Sequence, residues 1–165
     1  MAEQPTPGIG GPAPIRSVPV TVLVQYLKDV SFESPGSPGT VGTATELRQG
    51  SVSVDVRVVP MGGANYEVIL HVRVEAGHEG KTIYLLEMEY GGVVQIGAVP
   101  NEQVEPLLMI ECPRLLFPYA RAIVTDLTRD GGFAPLLINP IDFAALYRDY
   151  RRKNQPAETP AATVN

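Results

Sequence analysis

The sequence predicts an α+β fold: a four-stranded antiparallel sheet with helices packed on one of its faces. Three observations carry that expectation. Before Pro100, apolar side chains recur with a period of two in four separate runs. Beyond Pro100 the period lengthens to about 3.6, the repeat of a helix. Turn residues rich in glycine separate the later runs, as hairpins require.

The first run spans Pro19 to Glu33, with Val20, Val22, Val24 and Tyr26 on one parity and Asp29, Ser31 and Glu33 on the other. A long connection follows from Ser34 to Gly50, rich in Pro, Gly, Ser and Thr, and connections of that length are usually functional or mobile. Alternation resumes at Ser51, where Val52, Val54, Val56 and Val58 oppose Ser53, Asp55 and Arg57. After a turn at Met61-Gly62-Gly63, Tyr66, Val68, Leu70, Val72 and Val74 oppose Glu67, His71, Arg73 and Glu75. The fourth run sets Tyr84, Leu86, Met88 and Tyr90 against Ile83, Leu85, Glu87 and Glu89, and Gly77 to Gly80 joins it to the third as a hairpin. One apolar and one mostly polar face imply a sheet covered on one side only.

Helical spacing then links Val104, Leu107, Leu108, Leu115, Leu116, Tyr119, Ile123, Val124 and Leu127 until Gly131-Gly132. Pro113 and Pro118 each remove a donor, so the run is expected in at least two pieces with a bend. A final helix follows Asn139-Pro140, with Phe143, Leu146, Tyr147 and Tyr150 along one face and Arg151, Arg152 and Lys153 in its last turn, where cations favour the dipole. The glycine pairs at 62, 91 and 131 lack the further glycines and Lys-Ser or Lys-Thr of a phosphate cradle, and are expected to be turns and caps.

At 165 residues the chain is one domain long. Many of its 16 Gly and 16 Pro crowd into the ends, which divides it into a disordered tail over 1–19, a folded domain over 20–153 and a second tail over 154–165. With 18 acidic and 13 basic residues the net charge is −5, which argues against nucleic acid and for basic partners. A single cysteine excludes an intrachain disulfide and suits a reducing compartment. No basic segment leads into an apolar run at the N-terminus, and no stretch nears the roughly 18 apolar residues of a membrane span. A cytoplasmic protein without direct membrane insertion is expected.

No catalytic constellation emerges, and the chain is expected to be neither an enzyme nor a cofactor carrier. His71 and His78 have no Cys or His at ligand spacing and are expected as surface histidines. Cys112 precedes a proline and fits a buried, inert thiol. Asp29 and Glu33 share a parity and stand roughly 13 Å apart along a strand, and Glu87 and Glu89 do the same beside Leu85. They form either an ordinary solvated sheet face or, if the strands are neighbours, a patch for a small cationic partner. The helices also carry more apolar surface than a four-stranded sheet readily covers, which points to a homo-oligomer. An enzyme on a thioesterase-like sheet would need a polar residue poised in an apolar pocket, and none stands out.

Four motifs, YLKDVSFESP from Tyr26, YLLEMEYGG from Tyr84, CPRLLFPYAR from Cys112 and LINPIDFAALYRDY from Leu137, resemble the SecB family of export chaperones in matching order. The resemblance implies a tetramer made of two dimers that binds unfolded precursor proteins and delivers them to the SecA motor. It implies that Asp29, Glu33, Leu85 and Glu87 bind the basic zinc-binding tail of SecA. It further implies a client groove between the second strand, the long connection and the last helix, with Val52, Val54, Val56, Phe143, Leu146 and Tyr147 as candidate lining residues. A related alternative is a SecB-like chaperone serving a toxin and antitoxin pair.

Overall fold

The computed structural model describes residues 19–35, 49–78 and 80–154. The expected tails, apart from Pro19 and Asn154, and most of the Ser34 to Gly50 connection lie outside these residues. Four strands, β1 (Val20–Glu33), β2 (Gln49–Gly62), β3 (Asn65–His78) and β4 (Lys81–Ile96), form one antiparallel sheet in the order β1-β4-β3-β2. Consecutive hairpins join β2 to β3 and β3 to β4, while β1 lies on the far side of β4. The hairpin turns use Gly62, Gly63 and Gly80 at φ of 99°, 60° and 78°, values that side chains with a Cβ resist.

Residues directly opposite in an antiparallel pair share a face, so the register sorts the sheet into two surfaces. Val54, Val68, Leu70, Val72, Val74, Leu86, Met88, Tyr90 and Val94 form the buried surface beneath the helices. The open surface carries the polar residues of the same strands. In β1 the expected parity fails. Val22 pairs with Val94 on the helix side, but Val24 pairs with Val93 and Tyr26 with Gly91 on the open side. Two bulges cause this: the register slips between Val22 and Val24 and again between Leu27 and Asp29, and each extra residue turns the following side chains to the other face.

The pair Gly91-Gly92 is neither a turn nor a cap, for it lies inside β4. A Cβ on Gly91 would meet the Tyr26 ring at 3.3 Å on the open side, and one on Gly92 would meet Leu116 Cδ2 at 2.8 Å on the helix side. Glycine here lets two large side chains cross the strand from opposite faces.

The helical half is α1 (Asn101–Pro106), a π-helical segment (Leu107–Glu111), α2 (Cys112–Asp130) and α3 (Phe143–Asn154). The expected division at Pro113 takes the form of a change in helical pitch, and the run from Asn101 to Asp130 has no non-helical residue. The carbonyl that Pro113 cannot bond belongs to Met109, inside the wider π segment, which accommodates the missing donor. Pro118 lies on the exposed side of α2, where water can take the carbonyl it frees. Cys112, Leu116, Ala120, Val124 and Thr128, spaced by four, are fully buried against the sheet. Leu115 and Tyr119 are partly exposed, and Tyr119 reaches back to stack on Tyr90 of β4 with ring centroids 6.4 Å apart.

Aromatic contacts tie the ends together. Phe32, Tyr84 and Phe133 cluster with centroids 4.9–6.3 Å apart, and Phe117 meets Phe143 edge-on at 5.8 Å.

Candidate functional site

The open sheet face is ordered in rows that cross all four strands. Glu33, Leu85, Glu75 and Ser51 make one row, Ser31, Glu87, Arg73 and Ser53 the next, and Asp29, Glu89, His71 and Asp55 a third. Asp29, Glu33, Leu85 and Glu87 are thereby brought into one field on two adjacent strands. Glu33 is the register partner of Leu85, and Asp29 that of Glu89. Strand geometry makes this field about 13 Å long and 5 Å wide. Six carboxylates occupy the three rows against the guanidinium of Arg73 and that of Arg57, which donates to both oxygens of Glu89 at 3.1 and 3.3 Å. Arg73 donates to Glu87 and lies 3.7 Å from Glu75. Among the described residues, Asp29 and Glu33 hold no ion pair.

A different environment begins one row further on. The Tyr26 ring crosses Gly91, and its hydroxyl donates to Glu67 two strands away, beside a 2.7 Å bond from Lys28 to the same oxygen. Lys28 first and then Tyr26 hold the Glu67 carboxyl below its usual range, while the bond to Glu67 and burial raise the Tyr26 phenol. Ile69 is fully buried although it belongs to the open face. The acidic field therefore ends at a closed, paired boundary.

On the helix side, β2 is poorly covered and three clefts run along it. Val56 and Val58 face Val104, Leu108, Met109 and Tyr150 across a cleft of about 500 Å³. Val54 and Val56 face Leu146, Tyr147 and Tyr150 across about 310 Å³. Val52 and Val54 face the 136–142 segment and Leu146 across about 780 Å³. Because neighbouring clefts share these valines, they form one apolar trough with Asp142 and Asp149 at its rim. Thr125 and Thr128 staple the far wall: the Thr125 hydroxyl donates to the Leu136 carbonyl at 2.8 Å, and Thr128 accepts from the Leu136 amide at 3.0 Å. Glu105 anchors α3 through a 3.0 Å bond from Arg151, and burial first, then its contact with Glu105, raise the Tyr147 phenol.

Of the six candidate lining residues, Val52, Val54, Val56, Leu146 and Tyr147 border the trough. Phe143 does not. It is only 1% exposed and packs on Phe117 in the core, because it opens α3 on the face that docks to the helices. Cys112 is buried beside Glu111, and burial first, then that charge, push its thiol up to about 12, so it stays protonated at neutral pH. Among the described residues no group of three or more His, Cys, Asp or Glu could hold a metal ion, and no helix is long and apolar enough to cross a membrane.

A sequence-family model described as preprotein translocase subunit SecB matches residues 16–154. The chain belongs to the SecB family of protein-export chaperones. It is 43% identical over 158 residues to the protein-export protein SecB of Parvibaculum lavamentivorans, covering 96% of this chain and 94% of that one. It is 50% identical over 131 residues to the SecB of Paramagnetospirillum magneticum, covering 77% and 82%. Its fold is similar to that of the SecB-like chaperone of Mycobacterium tuberculosis, solved with a peptide from the HigA1 antitoxin, with a TM-score of 0.62 at 12% identity over 74% of this chain and 90% of that one.

Within this SecB fold, several residues of both surfaces escaped sequence reasoning. The hairpin of β3 and β4 was expected, but the register that sets Glu75 opposite Leu85 and Arg73 opposite Glu87 is not revealed by the alternation in either strand. Met109, Ile138 and Ile141 line the trough from the helical layer. The apolar run of LLINPID was the one available signal for the last two.

Proposed function

We propose that this chain is a holdase that keeps export precursors unfolded in the apolar trough along β2 and passes them to SecA, which docks on the acidic open face. The observation that carries this reading is the separation of the two surfaces. One sheet presents carboxylates around Leu85 on one side and the partly covered valines of β2 on the other, so a cargo and a motor can be held together without competing for the same atoms. An unfolded segment gains about 25 cal/mol for each Å² of apolar surface it buries, whatever its sequence, which suits a broad client range. Membership of a chaperone family supports a non-catalytic role, and the charge and cysteine content support work in the cytosol.

Assembly as a tetramer of two dimers agrees with where the apolar surplus lies. Val22, Leu23, Val24, Leu27 and Val30 are exposed on β1, whose outer edge is unpaired among the described residues, and Leu115 and Tyr119 are half-exposed on α2. An unpaired apolar edge and an apolar helix face both invite another copy. The antitoxin-chaperone alternative has only a fold likeness at 12% identity behind it, whereas relatives at 43–50% identity are export proteins.

The test separates the surfaces. Glu87→Lys is expected to weaken binding of the SecA tail peptide about tenfold or more while leaving the arrest of precursor refolding intact. Leu146→Asp should do the reverse. If both variants lose both activities together, or neither changes, the division of labour is wrong.

A further inference from the structure

We infer that Arg73 is a built-in competitor for the cationic partner of the acidic face: a resident guanidinium that lowers the affinity of the docking seat and must be displaced for full engagement. This rests on reading that face as the seat of a basic partner. Leu85 is flanked directly by Glu33 on β1 and Glu75 on β3, with Glu87 two residues along its own strand, so three carboxylates surround one apolar side chain. A basic segment with an apolar residue would use all four. Arg73, register partner of Glu87, already holds two of those carboxylates, donating to Glu87 and lying 3.7 Å from Glu75.

The arrangement is a reversible plug rather than a permanent lock. The side chains of Arg73, Glu87 and Glu75 are 43%, 38% and 45% exposed, and exposed pairs of this kind are weak and salt-sensitive. An incoming lysine or arginine can take the same oxygens while Arg73 swings into water. When the seat is empty, Arg73 offsets repulsion among Glu33, Glu75, Glu87 and Glu89. Engagement exchanges one cation for another, which keeps the docking contact moderate and its release fast.

The probe is a zinc-loaded peptide of the basic SecA tail, titrated into the full chain at low salt. Arg73→Gln is expected to tighten binding about three- to fivefold, the range that loss of one exposed competing pair allows. Arg73→Lys, which keeps the charge but not the two-pronged reach, should fall between that variant and the parent. Arg148→Gln makes the same change in net charge on α3, in the helical layer, and should shift affinity less than twofold. Unchanged or weaker binding with Arg73→Gln overturns the proposal, and so does equal tightening with Arg148→Gln, which would reduce the effect to overall charge. Glu87→Gln distinguishes the two levels: if it leaves peptide affinity unchanged, the docking seat itself is misassigned, whereas weakened binding there with no gain from Arg73→Gln removes only the competitor.

Discussion

Glu67 illustrates how a single residue marks the edge of a charged surface. It accepts from both Lys28 and Tyr26, and its carboxyl is held below the usual range. A carboxylate with a lower pKa in the fold than in the unfolded chain stabilises above the ordinary carboxylate range and loses that contribution as pH falls through the lowered value. Glu67→Gln should therefore cost about 1 kcal/mol in urea unfolding at pH 7, and the gap to the parent should close below about pH 4. A difference that persists at low pH would assign the cost to packing of Tyr26 instead. Residue-scale roles of this kind were only partly legible. The alternation placed Glu67 on a polar face, but its partners lie on β1, and the crossing of Gly91 by Tyr26 depends on a bulge that no period announces.

Among the elements, β1 does the most varied work. Its two bulges let one strand serve the helix face at Val22, the open face at Val24 and Tyr26, and the acidic field at Asp29 and Glu33. Among the described residues its outer edge is unpaired, and Val22, Leu23, Val24, Leu27 and Val30 are exposed on the strand, apolar surface that an isolated subunit would leave to aggregate. Leu27→Glu puts a charge into that edge. It is expected to lower the mass measured by light scattering to that of a smaller species while far-UV circular dichroism is retained. An unchanged mass would move the principal contact to the exposed face of α2. The helices show the converse case: the five-residue stripe from Cys112 to Thr128, spaced by four, was within reach of periodicity, but Leu115 and Tyr119 fit the same apolar pattern and stay half-exposed on its flank. A helix whose apolar arc is wider than its contact with the sheet gives no sign from sequence of which flank is covered.

For the whole molecule, charge and apolar surface are assigned to opposite sides of one sheet. Four chains at −5 apiece would carry −20, a field that speeds encounter with basic segments and fades beyond about 10 Å at 0.1 M salt. Raising salt from 0.05 to 0.5 M should thus weaken binding of the SecA tail peptide about tenfold or more, acting mainly on the association rate. Binding of an unfolded, uncharged apolar client should hold or strengthen. Parallel loss of both would mean that clients, too, are held chiefly by charge.

The amino-acid order alone determined the four-stranded α+β class, the polar and apolar faces of β2, β3 and β4, the inert thiol and the motifs that resemble SecB, because each follows from local periodicity or from contiguous residues. Only the tertiary structure decided that Gly91-Gly92 lies within a strand, that Phe143 belongs to the core and not the trough, and that Arg73 sits among the carboxylates of the open face. These features depend on which strand neighbours which and on where register slips. Such relations join residues far apart in the chain, and no local pattern encodes them.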